Sequence, residues 1–252
     1  MATDFNGRAA LITGSGVGIG REVARLLASR GAFVGIHYRL SKAEAEETLR
    51  DVEAAGGTGV LVSGDIADEN DANAIVDTFV DAAGRLDVLV NNAGTPVDRA
   101  SIEDCSTELW QQVIGTNLTG TFFVTRRAIP HLKASGNGAI VNNLSLSVQT
   151  GGANGAGAYA VAKGGIQVMT RTLARELAPA VRSNAVMPGV IETRHHEEFS
   201  TPERMAEYRK QTPLGRNGTA EEVAATIAFL ASDDASFLNG ALIDINGGRF
   251  LR

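Results

Sequence analysis

Short apolar runs alternate along the chain with longer stretches of helical periodicity. Ala9 to Thr13, Ala32 to Tyr38, Val60 to Ser63 and Leu86 to Asn91 read as buried strands, as do Ala139 to Leu144, Arg182 to Val186 and Ala241 to Ile245. Between them, Ile19 to Arg30 places Ile19, Val23, Leu26 and Leu27 on one helical face. Further helices are expected over Lys42 to Ala55, from a cap at Asp68 to Ala83, over about Thr107 to Lys133, and over Ala158 to Ala178. Thr219 and Glu222 form a capping box that opens a helix to Ala231. Gly31, Gly56-Gly57 and Gly84 stand where helices should stop. Strands that alternate with helices in this way predict a doubly wound α/β fold: a seven-stranded parallel sheet with helices on both faces. No linker or composition break divides residues 1–252, so one domain is expected. Only Ile191 to Gly218 breaks the rhythm. It is polar, with a short helix expected near Pro202 to Lys210, and reads equally as a substrate loop or as a plain surface excursion.

Composition narrows the function classes. The chain has 252 residues and 29 glycines, about 11% against roughly 7% in average proteins. The excess is aperiodic and points to tight turns and close backbone approaches. The net charge of −6 leaves no basic footprint for nucleic acid. No run of 18 apolar residues predicts a membrane span. The N-terminus, with Asp4 and Arg8, does not read as a signal peptide. A lone cysteine, Cys105, allows no intrachain disulfide and fits a reducing, cytoplasmic setting. No metal site is expected. His195-His196-Glu197-Glu198 has no metal-ligand spacing and reads as a solvated loop. A G-x-S-x-G nucleophile elbow is absent, which disfavours a hydrolase.

The turn from the first strand to the first helix reads Thr13-Gly14-Ser15-Gly16-Val17-Gly18-Ile19-Gly20. A dinucleotide pyrophosphate needs backbone N–H groups at a helix N-terminus with no side chains in the way. Gly14, Gly18 and Gly20 would supply the turn, the approach and the helix contact. Tyr159 and Lys163, four apart on an expected helix, share one face. A lysine there should lower the phenol pKa and let Tyr159 serve as acid in ketone reduction and base in alcohol oxidation.

The spacing TGxxxGxG, followed by Asn91-Asn92-Ala93-Gly94, the YxxxK of Tyr159 and Lys163, and Pro188-Gly189, resembles the short-chain dehydrogenase/reductase family. Leu214-Gly215-Arg216 and Gly247-Gly248 match family signatures too, so the resemblance covers essentially the whole chain. It implies hydride transfer between NAD or NADP and a carbonyl or secondary alcohol. Cofactor contacts are then implied for Gly14, Ser15, Gly18, Ile19, Gly20, Asn92, Ala93 and Gly94. Asp65 and Ile66 would flank the adenine, and Pro188, Gly189, Ile191 and Thr193 the nicotinamide. Where NAD enzymes carry an acid at the end of the second strand, this chain has Tyr38, then Arg39 and Ser41. An Arg able to grip a 2′-phosphate predicts NADP(H) over NAD(H).

The family's catalytic serine normally lies thirteen residues before the tyrosine, which here is Leu146. Aligning the fifth strand selects Ser145, with Ser147 as the alternative and one extra residue in the loop that follows. Asn117 matches the family's helix-kinking asparagine in the proton relay. The link after Pro179 is one residue short, and Asn246 replaces an aspartate. A homotetramer or dimer is implied, with the helices at Thr107 to Lys133 and Ala158 to Ala178 facing partners. The small-molecule substrate is not readable. Similar chains include glucose dehydrogenases and 3-oxoacyl-carrier-protein reductases, and Pro179-Ala180-Val181 lacks the basic residues that the latter often carry. A cofactor sensor without activity, and a dehydratase or epimerase that recycles its cofactor, are the rival readings.

Overall fold

The computed structural model describes residues 4–193 and 201–251. Its first half runs β1 (Ala9–Ile12), α1 (Gly18–Ser29), β2 (Phe33–Tyr38), α2 (Lys42–Ala54), β3 (Thr58–Ser63), α3 (Glu69–Ala83) and β4 (Val88–Asn91). Next come α4 (Thr107–Ile114), a π-helical turn (Gly115–Thr119), α5 (Gly120–Ala134) and β5 (Gly138–Asn143). The chain continues through α6 (Ser147–Thr150), α7 (Gly157–Glu176), β6 (Val181–Pro188), α8 (Pro202–Gln211), α9 (Ala220–Ala231) and β7 (Leu242–Ile245). The strands form one parallel sheet in the order β3-β2-β1-β4-β5-β6-β7. This is the seven-stranded doubly wound architecture that the alternating pattern predicts.

The strands are apolar throughout because both faces are covered. Successive side chains of a strand point to opposite faces. Thus Ala10 and Ile12 of β1 pack with Val23 and Leu27 of α1 and Ile227 of α9, while Ala9 and Leu11 pack with Ile75 and Phe79 of α3 and Leu132 of α5. Caps set the helix starts. Asp68 accepts from the N–H groups of Asn70 and Asp71, and Thr219 and Glu222 form the expected capping box. Gly84 ends α3 in the left-handed region.

Strand order reverses between β1 and β4. Their C-terminal ends therefore diverge into a crevice, the usual ligand position in such sheets. Two details lie beyond the periodicity. The long helix is interrupted by the π-helical turn that contains Asn117, and a short helix, α6, follows β5.

Candidate active site

One cleft of about 1150 Å³ runs over the C-terminal ends of the strands. At its β1 end, α1 points its N-terminus at the opening, and Val17 at the cap offers the first-turn amides no side-chain acceptor. Those amides suit an anion. Gly20 must be glycine for closeness: a Cβ there would collide with the carbonyl of Gly14 and stand 2.6 Å from Nδ2 of Asn92. Ser15 stands apart from the cleft wall. Its N–H donates to the carbonyl of His37, and its hydroxyl donates to Ile12 and accepts from the N–H of His37. It shapes the loop from behind rather than offering these groups to a ligand.

Asn92 clamps that loop to the sheet. Its Nδ2 donates to the carbonyls of Thr13 and Gly14 at 3.0 and 2.9 Å, and its Oδ1 accepts from Asn143 at 2.9 Å. Thr13 Oγ1 in turn accepts from the N–H groups of Asn92 and Ala93. On the far side, Ile191 is buried in a bridge to Gly218, and the Thr193 side chain lies 3.6 Å from where a Cβ on Gly18 would stand. At the adenosine end, Arg39 Nη1 donates to Asp65 Oδ2 at 3.2 Å, while Asp65 Oδ1 accepts from the N–H of Ala67. The Asp65 carboxylate, expected to face an adenine amine, thus has two protein partners already. Ile66, Ser41, Pro188 and Gly189 also line the cleft.

The catalytic candidates meet where β4 and β5 end. Lys163 is buried and donates from Nζ to the carbonyl of Asn143 at 2.7 Å. Asn117 donates to the carbonyls of Thr95 and Val113 at 2.7 and 2.8 Å and accepts from the N–H of Thr95 at 3.1 Å. Its side chain therefore ties the π-helical turn to the loop after β4. Gly94 lies between the two: a Cβ there would stand 2.5 Å from Asn117 Oδ1 and 3.0 Å from Lys163 Nζ. The Ser145 hydroxyl lies near enough to Tyr159 to bear on its phenol and accepts from the N–H of Ser147 at 3.1 Å, whereas the buried Ser147 hydroxyl has no partner.

The electrostatics differ from expectation. Burial pushes the Tyr159 phenol up to about 12, only partly relieved by the Ser145 hydroxyl and the Arg99 charge. Burial also pushes Lys163 down to about 8. The lysine does not pull the phenol down in this state, because Nζ stands 5.6 Å from the ring centroid and desolvation disfavours both charged forms.

A family model described as enoyl-(acyl carrier protein) reductase matches residues 14–249. The chain is 37% identical to 3beta-hydroxysteroid dehydrogenase 1 of Eggerthella lenta over 100% of its own length and 97% of the relative's. It is 35% identical, with a TM-score of 0.90 and full coverage of both chains, to a solved short-chain dehydrogenase/reductase of the glucose/ribitol dehydrogenase type from Brucella melitensis. The chain belongs to the short-chain dehydrogenase/reductase family. It is an oxidoreductase of CH–OH groups. A solved 7 alpha-hydroxysteroid dehydrogenase, 27% identical with a TM-score of 0.92 over 97% of this chain and 95% of that one, is complexed with NADH and an oxo bile acid.

The residues present fit a nicotinamide dinucleotide of this family. The uncapped start of α1 and the close approaches at Gly20 and Gly94 leave backbone open along the cleft. Several participants carry weak signals in the sequence. His37 accepts the Gly14 N–H on Nδ1 at 2.9 Å and bonds the Gly64 carbonyl through Nε2 at 3.1 Å. Burial lowers its pKa, consistent with the neutral ring this pairing requires. Asn143 falls inside the expected strand Ala139 to Leu144, with nothing local to mark it. Arg99, Arg204, Tyr208 and Arg249 also line the cleft. His195, His196, Glu197 and Glu198 lie outside the described residues. Among the described residues there is no group of three metal-type side chains, and no helix is long and apolar enough to cross a membrane.

Proposed function

We propose that this oxidoreductase interconverts a ketone and a secondary alcohol on a small molecule, with Tyr159 as the proton donor and acceptor and Ser145 as the donor to the reacting oxygen. The convergence of Ser145, Tyr159, Lys163, Asn117 and Gly94 on one wall of the cleft carries this reading. The bound nicotinamide would supply or accept the hydride at the carbonyl carbon. Tyr159 gives its proton to the carbonyl oxygen as that carbon takes the hydride, so the product is a neutral alcohol. A phenol held well above neutral pKa is protonated and suited to this direction. The reverse direction requires added positive charge, which an oxidised nicotinamide and Lys163 would provide together. Ser145 donates to the oxygen as charge develops there. Asn117 holds the π-helical turn and, with it, the backbone beside Lys163. Residues 191–218 serve as the substrate loop.

NADP(H) is the preferred cofactor in this reading. Arg39 follows the non-acidic end of β2, lines the cleft and is held only by a half-exposed pair with Asp65. Such exposed pairs are weak, roughly 0–1 kcal/mol, so a 2′-phosphate can compete for the guanidinium. Ser41 adds a hydroxyl nearby. The test compares kcat/KM for NADPH and NADH in the wild type and in Arg39→Asp. The expected result is an NADPH preference that Arg39→Asp reverses, and equal or better use of NADH by the wild type would contradict it.

The enzyme acts as a homotetramer in the cytoplasm in this account. Exposed Phe122 on α5 and Val161 and Val168 on α7 support subunit contacts on those helices. Sedimentation analysis of wild type and Val168→Glu would detect the dissociation expected of the variant.

A further inference from the structure

For a chain of net charge −6, the cleft is lined by several cationic side chains. Arg99, Arg204 and Arg249 line it. None of the three makes an ion pair among the described residues. Neighbouring arginines that face outward do: Arg209 pairs with Glu192 at 3.4 Å and Arg216 with Glu222 at 2.5 Å. Glu207, which lines the cleft on α8 with Arg204, accepts from Gln211 Nε2 at 3.0 Å.

Among the described residues, the three cations are positioned without a carboxylate pairing them. Arg249 packs 4.5 Å over the ring of Tyr208 and donates from Nη2 to Gln211 Oε1 at 2.8 Å. Its Nη1 is buried and has no hydrogen-bond partner. Arg204 donates from Nε to the Tyr208 hydroxyl at 2.5 Å, so two guanidiniums share one tyrosine. Arg99 reaches the carbonyls of Ala153 and Asn154 at 3.4 Å, and its Nε is likewise buried without a partner. Arg99 also lies close enough to Tyr159 for its charge to bear on the phenol. A buried guanidinium nitrogen without an acceptor is costly. Two of them on residues that line the cleft call for acceptors on the ligand, and guanidinium geometry matches carboxylate and phosphate oxygens.

We propose that the substrate of this enzyme carries an anionic oxygen group, a carboxylate or a phosphate, which Arg249 and Arg99 hold while the carbonyl lies at Tyr159. Arg204 is a positioning residue that fixes Tyr208 beneath Arg249. The inference rests on the ketone reductase reading above and narrows its substrate class.

Two matched pairs test it: levulinate against methyl levulinate, and dihydroxyacetone phosphate against dihydroxyacetone. In the wild type, kcat/KM for at least one anion should exceed that of its neutral partner by about tenfold or more, the scale of a charged hydrogen bond. The pair that shows the excess identifies carboxylate or phosphate. Arg249→Gln and Arg99→Gln should each bring the ratio toward one, and Arg249→Lys should fall between. Where Arg249→Gln fails to fold, Arg99→Gln carries the comparison. Neutral partners that match the anions in both pairs, or a ratio unchanged in the folded Gln variants, would overturn the proposal. Calorimetric titration of each anion, with and without NADP⁺, separates the two readings. Saturable binding that Arg249→Gln or Arg99→Gln removes, with no carbonyl reduced, upholds the anion site and refutes the reductase reading. No saturable binding of either anion refutes the anion site.

Discussion

At the ends of β4 and β5, Asn92, Asn143, Asn117 and Lys163 are tied to one another or to backbone carbonyls. Elsewhere along the cleft lining, which forms its recognition wall, Arg99 and Arg249 keep buried nitrogens without partners. The first region is a preorganised floor, built so that nothing moves when the reacting oxygen gains charge. The second is a recognition surface whose hydrogen bonds are incomplete until something binds. The floor is not fully satisfied either, since Asn143 Oδ1 and the Ser147 hydroxyl are buried without partners. The floor and the recognition wall therefore differ in charge and chemistry, amides and one lysine against guanidiniums, more than in how fully their polar groups are paired.

Substitutions on the floor should break the contrast first. Ser145→Ala should lower kcat by about 10²–10³-fold, as loss of one donor to a developing oxyanion does. Ser147→Ala should cost far less, because its hydroxyl has no partner. Steady-state kinetics of the two variants decide the order, and the reverse ranking would move the catalytic role to Ser147. Asn92→Ala removes two hydrogen bonds to the phosphate loop and one from Asn143 of β5. Urea unfolding should show a loss of about 1–3 kcal/mol, with weaker cofactor binding. A change in substrate KM alone would mean that Asn92 belongs to the wall instead.

The smallest effect concerns pH. His37 must be neutral at Nδ1 to accept the Gly14 N–H, and burial lowers its pKa. The unfolded chain therefore takes up the proton first as pH falls through the ordinary histidine range near ~6.5. Stability from this group is complete above that range and is lost as pH falls toward the lower folded-state pKa. His37→Asn, which keeps an acceptor, should flatten that limb of the stability profile. An unaltered limb would place the titration elsewhere.

Much of the floor was legible in the sequence. The Gly-rich turn, NNAG and YxxxK are local motifs, and each sits at a strand end or on a helix that periodicity finds. Strand ends shifted by a residue or two, as with β6 over Val181–Pro188, where pairing with β7 extends the ladder beyond the apolar run. The π-helical turn is hidden from the periodicity, because Gly115–Thr119 continues a helical pattern; the family resemblance marks a kink at Asn117, and its bonds to Thr95 show what the turn holds. His37 gave no signal, since its partners Gly14 and Gly64 are backbone groups far off in sequence. The wall was illegible for the same reason. Arg99, Arg204 and Arg249 reach the same cleft only through the fold. The phenol pKa was misjudged because spacing shows a neighbouring lysine but not the burial that outweighs it.

The central claim, that Tyr159 delivers the proton on an otherwise intact floor, is tested most directly with Tyr159→Phe. Reduced-cofactor consumption with a reducible ketone and calorimetric cofactor binding are measured on the same preparation. The account predicts wild-type turnover, a fall of about 10²–10⁴-fold in the variant, and unchanged cofactor affinity. A variant that turns over at the wild-type rate would contradict it.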